Sequence, residues 1–227
     1  MIPCAPVEWR QPPPPVAELK REPQQAQAQA PGYASRLKPN PRGWITRPSW
    51  CVWVEPGGDD RWNQRWSTAV SNALREWGQH LEVVRVSDAK DAQLRLWRRR
   101  PPLRDGRASN GRAYLRLQQV KREGNAAALE PQVEVLLSPG LRLPVLQATA
   151  LHELGHGFGL WGHSDQATDV MAPSQGATPL LQLSPRDRQT LTWLLQQPSA
   201  VPVAPPTATP PQTTSPGSAP PSGPRAD

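Results

Sequence analysis

Three of the four histidines in this chain fall within His152-Glu153-Leu154-Gly155-His156-Gly157-Phe158-Gly159-Leu160-Trp161-Gly162-His163. On a helix, residues four apart share a face, so His152 and His156 can present their imidazoles to one common atom. Glu153 stands one step round from that pair, close enough to reach a water on the atom without ligating it. The glycines that follow let the chain turn, and His163 can return to the same point from the other side. Three nitrogens with a fourth position left open is how catalytic zinc is held. The chemistry within reach of such a site is hydrolysis by an activated water.

A helix can carry His-Glu-x-x-His for reasons of packing alone. Here three further features follow in order: Gly159, His163 and the run Asp169-Val170-Met171-Ala172-Pro173. A packing explanation would need a buried glutamate without a partner, which is rare. It would also need a helix end built from Gly155, Gly157, Gly159 and Gly162, which are poor helix formers. The pattern favours a metal site.

These residues resemble the metzincin clan of zinc endopeptidases, and within it the matrixin-like branch, whose pattern is HExxHxxGxxH followed by a Met-turn. His152, Glu153, His156 and Gly159 match. The position of the third ligand in that pattern is held by Gly162, and the histidine follows one residue later at His163. The run Gly-Leu-Trp-Gly-His-Ser is similar to a bacterial, largely cyanobacterial, group of predicted zinc proteases in which this loop is one residue longer. The resemblance spans roughly residues 49 to 197. It implies zinc on His152, His156 and His163, with Asp165 the alternative third ligand, and Met171 as a packed floor beneath the metal. It also implies a zinc-bound water that attacks a peptide carbonyl while Glu153 acts as general base. One catalytic zinc per chain is expected, because no spare histidines remain for the structural zinc of matrixins; calcium stays open. The matrixin motif that carries a zinc-capping cysteine is missing, so Cys4 is not expected to serve as one.

The elements that must position these residues can be read along the chain. Trp50–Glu55 is β-prone and closed by Pro56-Gly57-Gly58, and Asp59 or Asp60 offers an N-cap. From Arg61 to His80, Trp62, Trp66, Val70, Ala73 or Leu74, and Trp77 recur at helical spacing and read as a core-facing stripe. Strands follow at Leu81–Val86, Ala92–Trp97, Arg112–Val120 and Pro131–Leu137, with an Arg-, Pro- and Gly-rich loop from Arg98 to Gly111. The motif helix comes next. Ser184-Pro185-Arg186-Asp187 then opens a last helix with an N-cap, a first-turn proline and an acid three residues on. This order is the one the metzincin catalytic domain uses. The resemblance therefore implies an α+β zincin fold: a twisted, mostly parallel five-stranded sheet with one antiparallel edge strand, on two long helices plus a C-terminal helix. The Arg112–Val120 strand would be the edge beside the cleft, able to receive an extended peptide by strand addition.

Composition bounds the rest. At 227 residues there is room for one ordinary domain with tails. Of 30 prolines, 11 precede residue 49 and 10 follow residue 197, so segments 1–48 and 198–227 are expected to be disordered and 49–197 to be the folded domain. Two cysteines exclude a disulfide scaffold; Cys51 reads as an apolar filler in a core strand and Cys4 as part of a flexible tail. Net charge is +7, with a cluster at Arg98, Arg99, Arg100, Arg104, Arg107, Arg112 and Arg116 that is either a solvated loop or a face for anionic material. No run of 18 apolar residues spans a membrane. Met1-Ile2-Pro3-Cys4 lacks the regions of a signal peptide, whereas the resemblance points outside the cytoplasm. The expected partner is a protein or peptide substrate, not nucleic acid, met by a monomer. Two other functions fit parts of the sequence: a non-catalytic binding protein that keeps zinc for structure, and a polyanion-binding protein built on the arginine-rich loop.

Overall fold

The computed structural model describes residues 4–15, 30–174 and 176–201. Six strands form one mixed sheet: β1 (Val7–Gln11), β2 (Ser49–Val54), β3 (Glu82–Arg85), β4 (Leu94–Trp97), β5 (Gly111–Arg122) and β6 (Ala128–Leu137). Their order is β1-β5-β6-β4-β2-β3. β2 pairs in parallel with β3 and β4, and β4 with β6. Parallel neighbours need long connections, and α1 (Arg61–Trp77) supplies the one between β2 and β3. β5 and β6 form an antiparallel hairpin turned at Gly124, whose φ of 72° suits glycine. Two further helices, α2 (Leu143–Gly157) and α3 (Pro185–Leu195), complete an α+β chain.

The core lies between one face of the sheet and helices α1 and α2. Trp66, Val70, Ala73 and Trp77 of α1 are fully buried at the predicted helical spacing. They meet Trp50, Leu94, Leu96, Val133, Val135 and Leu137 from the sheet and Leu146, Leu151 and Leu154 from α2. Phe158, just past α2, sits edge-on to both Trp50 and Trp77 at 5.7 Å. The indole Nε1 of Trp77 donates to the Leu151 carbonyl at 3.0 Å, which ties α1 to the helix that carries the motif. Burying each such large side chain stabilises the fold by roughly 2–3 kcal/mol. Asp60, rather than Asp59, caps α1 through the Trp62 and Asn63 amides. Trp62, expected in the core stripe, is 46% exposed and lies under the Arg61 and Arg65 guanidinium groups.

Several sequence expectations need correction. Cys4 and Cys51 are bonded to each other, so Cys51 is no filler and Cys4 no loose end. Trp50 and Val52 face the helices, so by strand alternation Cys51 points to the opposite face. There the N-terminal segment closes on it. The sheet has six strands, not five, because Val7–Gln11 pairs with β5 from Gln119 to Arg122. β5 is therefore an open edge only from Gly111 to Gln118 among the described residues. Residues 30–48, expected to be disordered, carry the buried Tyr33, Leu37 and Ile45. The expectations for 16–29 and 202–227 fall outside the described residues. No helix among the described residues is long and apolar enough to cross a membrane.

Candidate metal centre and cleft

Helix α2 delivers His152, Glu153 and His156 from its last two turns. The ligand atoms of His152, His156 and His163 all lie within 4.8 Å of one another. Ring centroids are 4.9 Å apart for His152–His156, 5.0 Å for His156–His163 and 5.3 Å for His152–His163, a near-equilateral triangle. His152 Nδ1 donates to the Val170 carbonyl and His156 Nδ1 to the Leu160 carbonyl, both at 2.8 Å. A carbonyl can only accept, so each Nδ1 carries the proton and each Nε2 keeps its lone pair for a ligand. Burial pushes His152 down to about 4 and His156 down to about 3, against the pull of those carbonyls. Burial and the Lys38 charge also lower His163. The rings are thus neutral near pH 7, as metal ligation requires. This donor set can hold a metal ion.

The loop after α2 explains its unusual glycines. A side chain on Gly155 would meet Met171 Sδ at 2.3 Å; Met171 is fully buried directly against the helix. Gly159 has φ +112°, and its missing Cβ makes room for the Ile45 carbonyl. The chain then reverses and brings His163 back, where the neighbouring Ser164 amide donates to the Met171 carbonyl at 2.8 Å. Ser164 Oγ donates to Asp169, which also accepts from Ser184 Oγ and Arg186. The Val170 and Met171 amides donate to Asp187, a fully buried carboxylate that also accepts from Tyr33 at 2.7 Å. One carboxylate of α3 therefore fixes the segment whose Val170 carbonyl orients His152.

Glu153 is not one of the clustered ligands. It is buried, with its carboxyl pushed up to about 7 by desolvation against an Ala113 amide hydrogen bond and the Arg112 charge. Gly111 of β5 makes room for it: a Cβ there would lie 2.6 Å from Glu153 Cγ. Glu153 and the three histidines line one cavity of about 880 Å³, which the start of β5 and the segments around Arg36–Lys38 and Trp161–Gly162 also line. Trp161 stacks on His156 with 5.5 Å between ring centroids.

The four residues singled out from the sequence, His152, Glu153, His156 and His163, come together. Met171 lies beneath the helix that bears them. Asp165, the alternative ligand, is drawn away to Arg186 at 2.8 Å and Arg36 at 3.5 Å. Arg98, Arg99 and Arg100 do not line the cavity; Arg99 covers Trp97 and lies 3.9 Å from Glu55. Sequence reasoning missed Arg36 and Lys38, which stand in a proline-rich stretch, although Tyr33, Leu37 and Ile45 there were a signal that the stretch packs. It also missed Gly111, whose missing side chain makes room for Glu153, because nothing in the sequence says that the start of β5 lies over that glutamate. No protein-family model matches the chain, and no curated protein matches it at a significant level.

Proposed function

We propose that the chain is a zinc-dependent endopeptidase of the metzincin kind, with one zinc on His152, His156 and His163 and Glu153 as general base. The observation that carries this reading is a three-nitrogen cluster on the wall of a cleft beside a buried carboxylate that is not among its ligands. A structural zinc site takes four protein ligands and gains nothing from such a carboxylate. The element order and the methionine under the helix resemble the metzincin catalytic domain, and the turn at Gly159 to Gly162 gives room for the one-residue longer path to His163.

The chemistry a bound zinc ion supplies is Lewis acidity, which polarises a carbonyl and lowers the pKa of water from about 15.7 toward 7. The side chains do the rest. The Val170 and Leu160 carbonyls fix the tautomer and plane of two ligand rings. Glu153 would accept a proton from the attacking water and return it to the leaving amine nitrogen. Burial raises its carboxyl and a bound zinc ion would lower it again, which keeps it a carboxylate able to take that proton. The unpaired stretch of β5 offers main-chain groups to an extended substrate.

Purified protein should contain about one zinc per chain and cleave casein or a quenched peptide library. Glu153→Ala should keep the zinc and lose cleavage by a factor of about 10² or more. If both proteins bind zinc and neither cleaves, the catalytic reading fails. If neither binds zinc, the metal site fails with it.

A further inference from the structure

We propose that this cleft selects acidic peptides, with Arg36, Lys38, Arg104 and Arg112 as the residues that set the preference; this rests on the peptidase reading above. All four line the cavity that holds the histidines, and among the described residues the only carboxylate lining it is Glu153. That carboxylate is buried.

The four cations come from two separate stretches of chain. Lys38 donates its amide to the Trp161 carbonyl at 2.7 Å, and the Arg36 carbonyl lies within 2.5 Å of where a Gly162 Cβ would be. That holds Arg36 and Lys38 beside the loop that returns His163. Arg104 lies in the loop before β5, and Arg112 at the start of that strand. A peptide in the cavity meets positive charge from both stretches.

Little inside the protein neutralises these charges. Among the described residues Lys38, Arg104 and Arg112 form no ion pair. The hydrogen bonds of Arg112 go to the Pro102 carbonyl and Ser109 Oγ, both at 3.4 Å, and the one carboxylate its charge acts on is that of Glu153, which burial pushes toward the neutral form. Arg36 reaches Asp165 at 3.5 Å, but that carboxylate is already held by Arg186 at 2.8 Å. Like charges lining one cleft focus a positive potential in it, and an anionic ligand relieves it. The main-chain line for such a ligand is also present. Alternate residues of an antiparallel strand turn both N–H and C=O away from their partner. Ser138 donates its amide to the Asn110 carbonyl at 2.8 Å, so the even-numbered residues of β5 pair with β6 and the groups of Ala113, Leu115 and Leu117 face the open side. The other arginines of the cluster, Arg98 to Arg100, stand outside the cavity and serve as an internal control.

The test uses the full chain and three peptides of one sequence whose variable positions are all Glu, all Gln or all Lys. Binding is read by fluorescence anisotropy and, in parallel, cleavage by release of a quencher. The Glu peptide should bind and be turned over at least about tenfold better than the Gln peptide, and the Lys peptide worst. The preference should shrink between 50 and 300 mM salt. Arg36→Gln/Lys38→Gln and, separately, Arg104→Gln should collapse the Glu-to-Gln ratio toward one, whereas Arg98→Gln/Arg99→Gln should leave it unchanged. Equal cleavage of Glu and Gln peptides by the wild-type chain would overturn the proposal and leave the peptidase reading standing. Selective binding of the Glu peptide with no cleavage of any would uphold the cleft preference and remove the peptidase. Tight, Arg36-dependent binding of heparin or DNA without selection of the Glu peptide would overturn it in favour of a polyanion site. The wild-type comparison of peptides stands even if a variant fails to fold.

Discussion

Four ionisable side chains of the site pull stability in opposite directions as pH changes. In the metal-free chain His152 sits at about 4 and His156 at about 3, both below their ordinary 6.5. Unfolding frees these rings to protonate, so they stabilise the fold above about pH 6.5 and lose that contribution as pH falls. His163, also lowered, acts the same way. Glu153 is raised from 4.5 to about 7, so it stabilises the folded state only while protonated, and its contribution is lost as pH rises toward 7. Between pH 4.5 and 6.5 the histidines make stability rise with pH, and Glu153 opposes them by about one proton. Glu153→Gln removes the opposing group and should steepen the slope by about 1.4 kcal/mol per pH unit. Urea unfolding of the metal-free proteins at several pH values measures both slopes. Parallel slopes would show that Glu153 does not hold its proton in the folded chain.

At the scale of elements, the site depends on α3 holding the segment from Asp169 to Met171. Tyr33→Phe removes one of the donors to the buried Asp187 and should cost about 1.5–3 kcal/mol in thermal or urea unfolding. A loss below about 0.5 kcal/mol would show that Asp187 is satisfied without Tyr33. Five strands and three helices were legible in the sequence because each carries a local signal. Trp66, Val70 and Trp77 repeat at the helical period, Val133, Val135 and Leu137 alternate, and Ser184 to Asp187 spells a capping box that the structure forms. The metal-ligand candidates were legible for the same reason, since two of them are set by spacing on one helix. β1 was not, because Val7–Gln11 gains its strand character from pairing with β5 more than a hundred residues away. The same holds for Arg36 and Lys38. Their place at the cleft is decided by where Tyr33 and Leu37 are buried, which is a matter of tertiary packing rather than local propensity.

At the scale of the whole molecule, the Cys4–Cys51 bond joins the segment just before β1 to β2, which lies next to the far edge of the sheet, across a sequence separation of 47. Closing a loop of that length stabilises the chain by up to about 4 kcal/mol in the chain-entropy account. Cys4→Ser should lower unfolding free energy by about 2–4 kcal/mol, and urea unfolding of the oxidised wild type beside the variant measures it; equal midpoints would make the bond incidental. Bonds of this kind persist in oxidising compartments and are rare in reducing ones. The bond has another effect for a protein that meets proteases or is one itself. Every peptide bond between Cys4 and Cys51 lies inside a covalent ring, so a cut there opens the ring without releasing a fragment. A nicked molecule would run as one species on a non-reducing gel and as two after reduction, still carrying β1, Arg36 and Lys38 on the same particle.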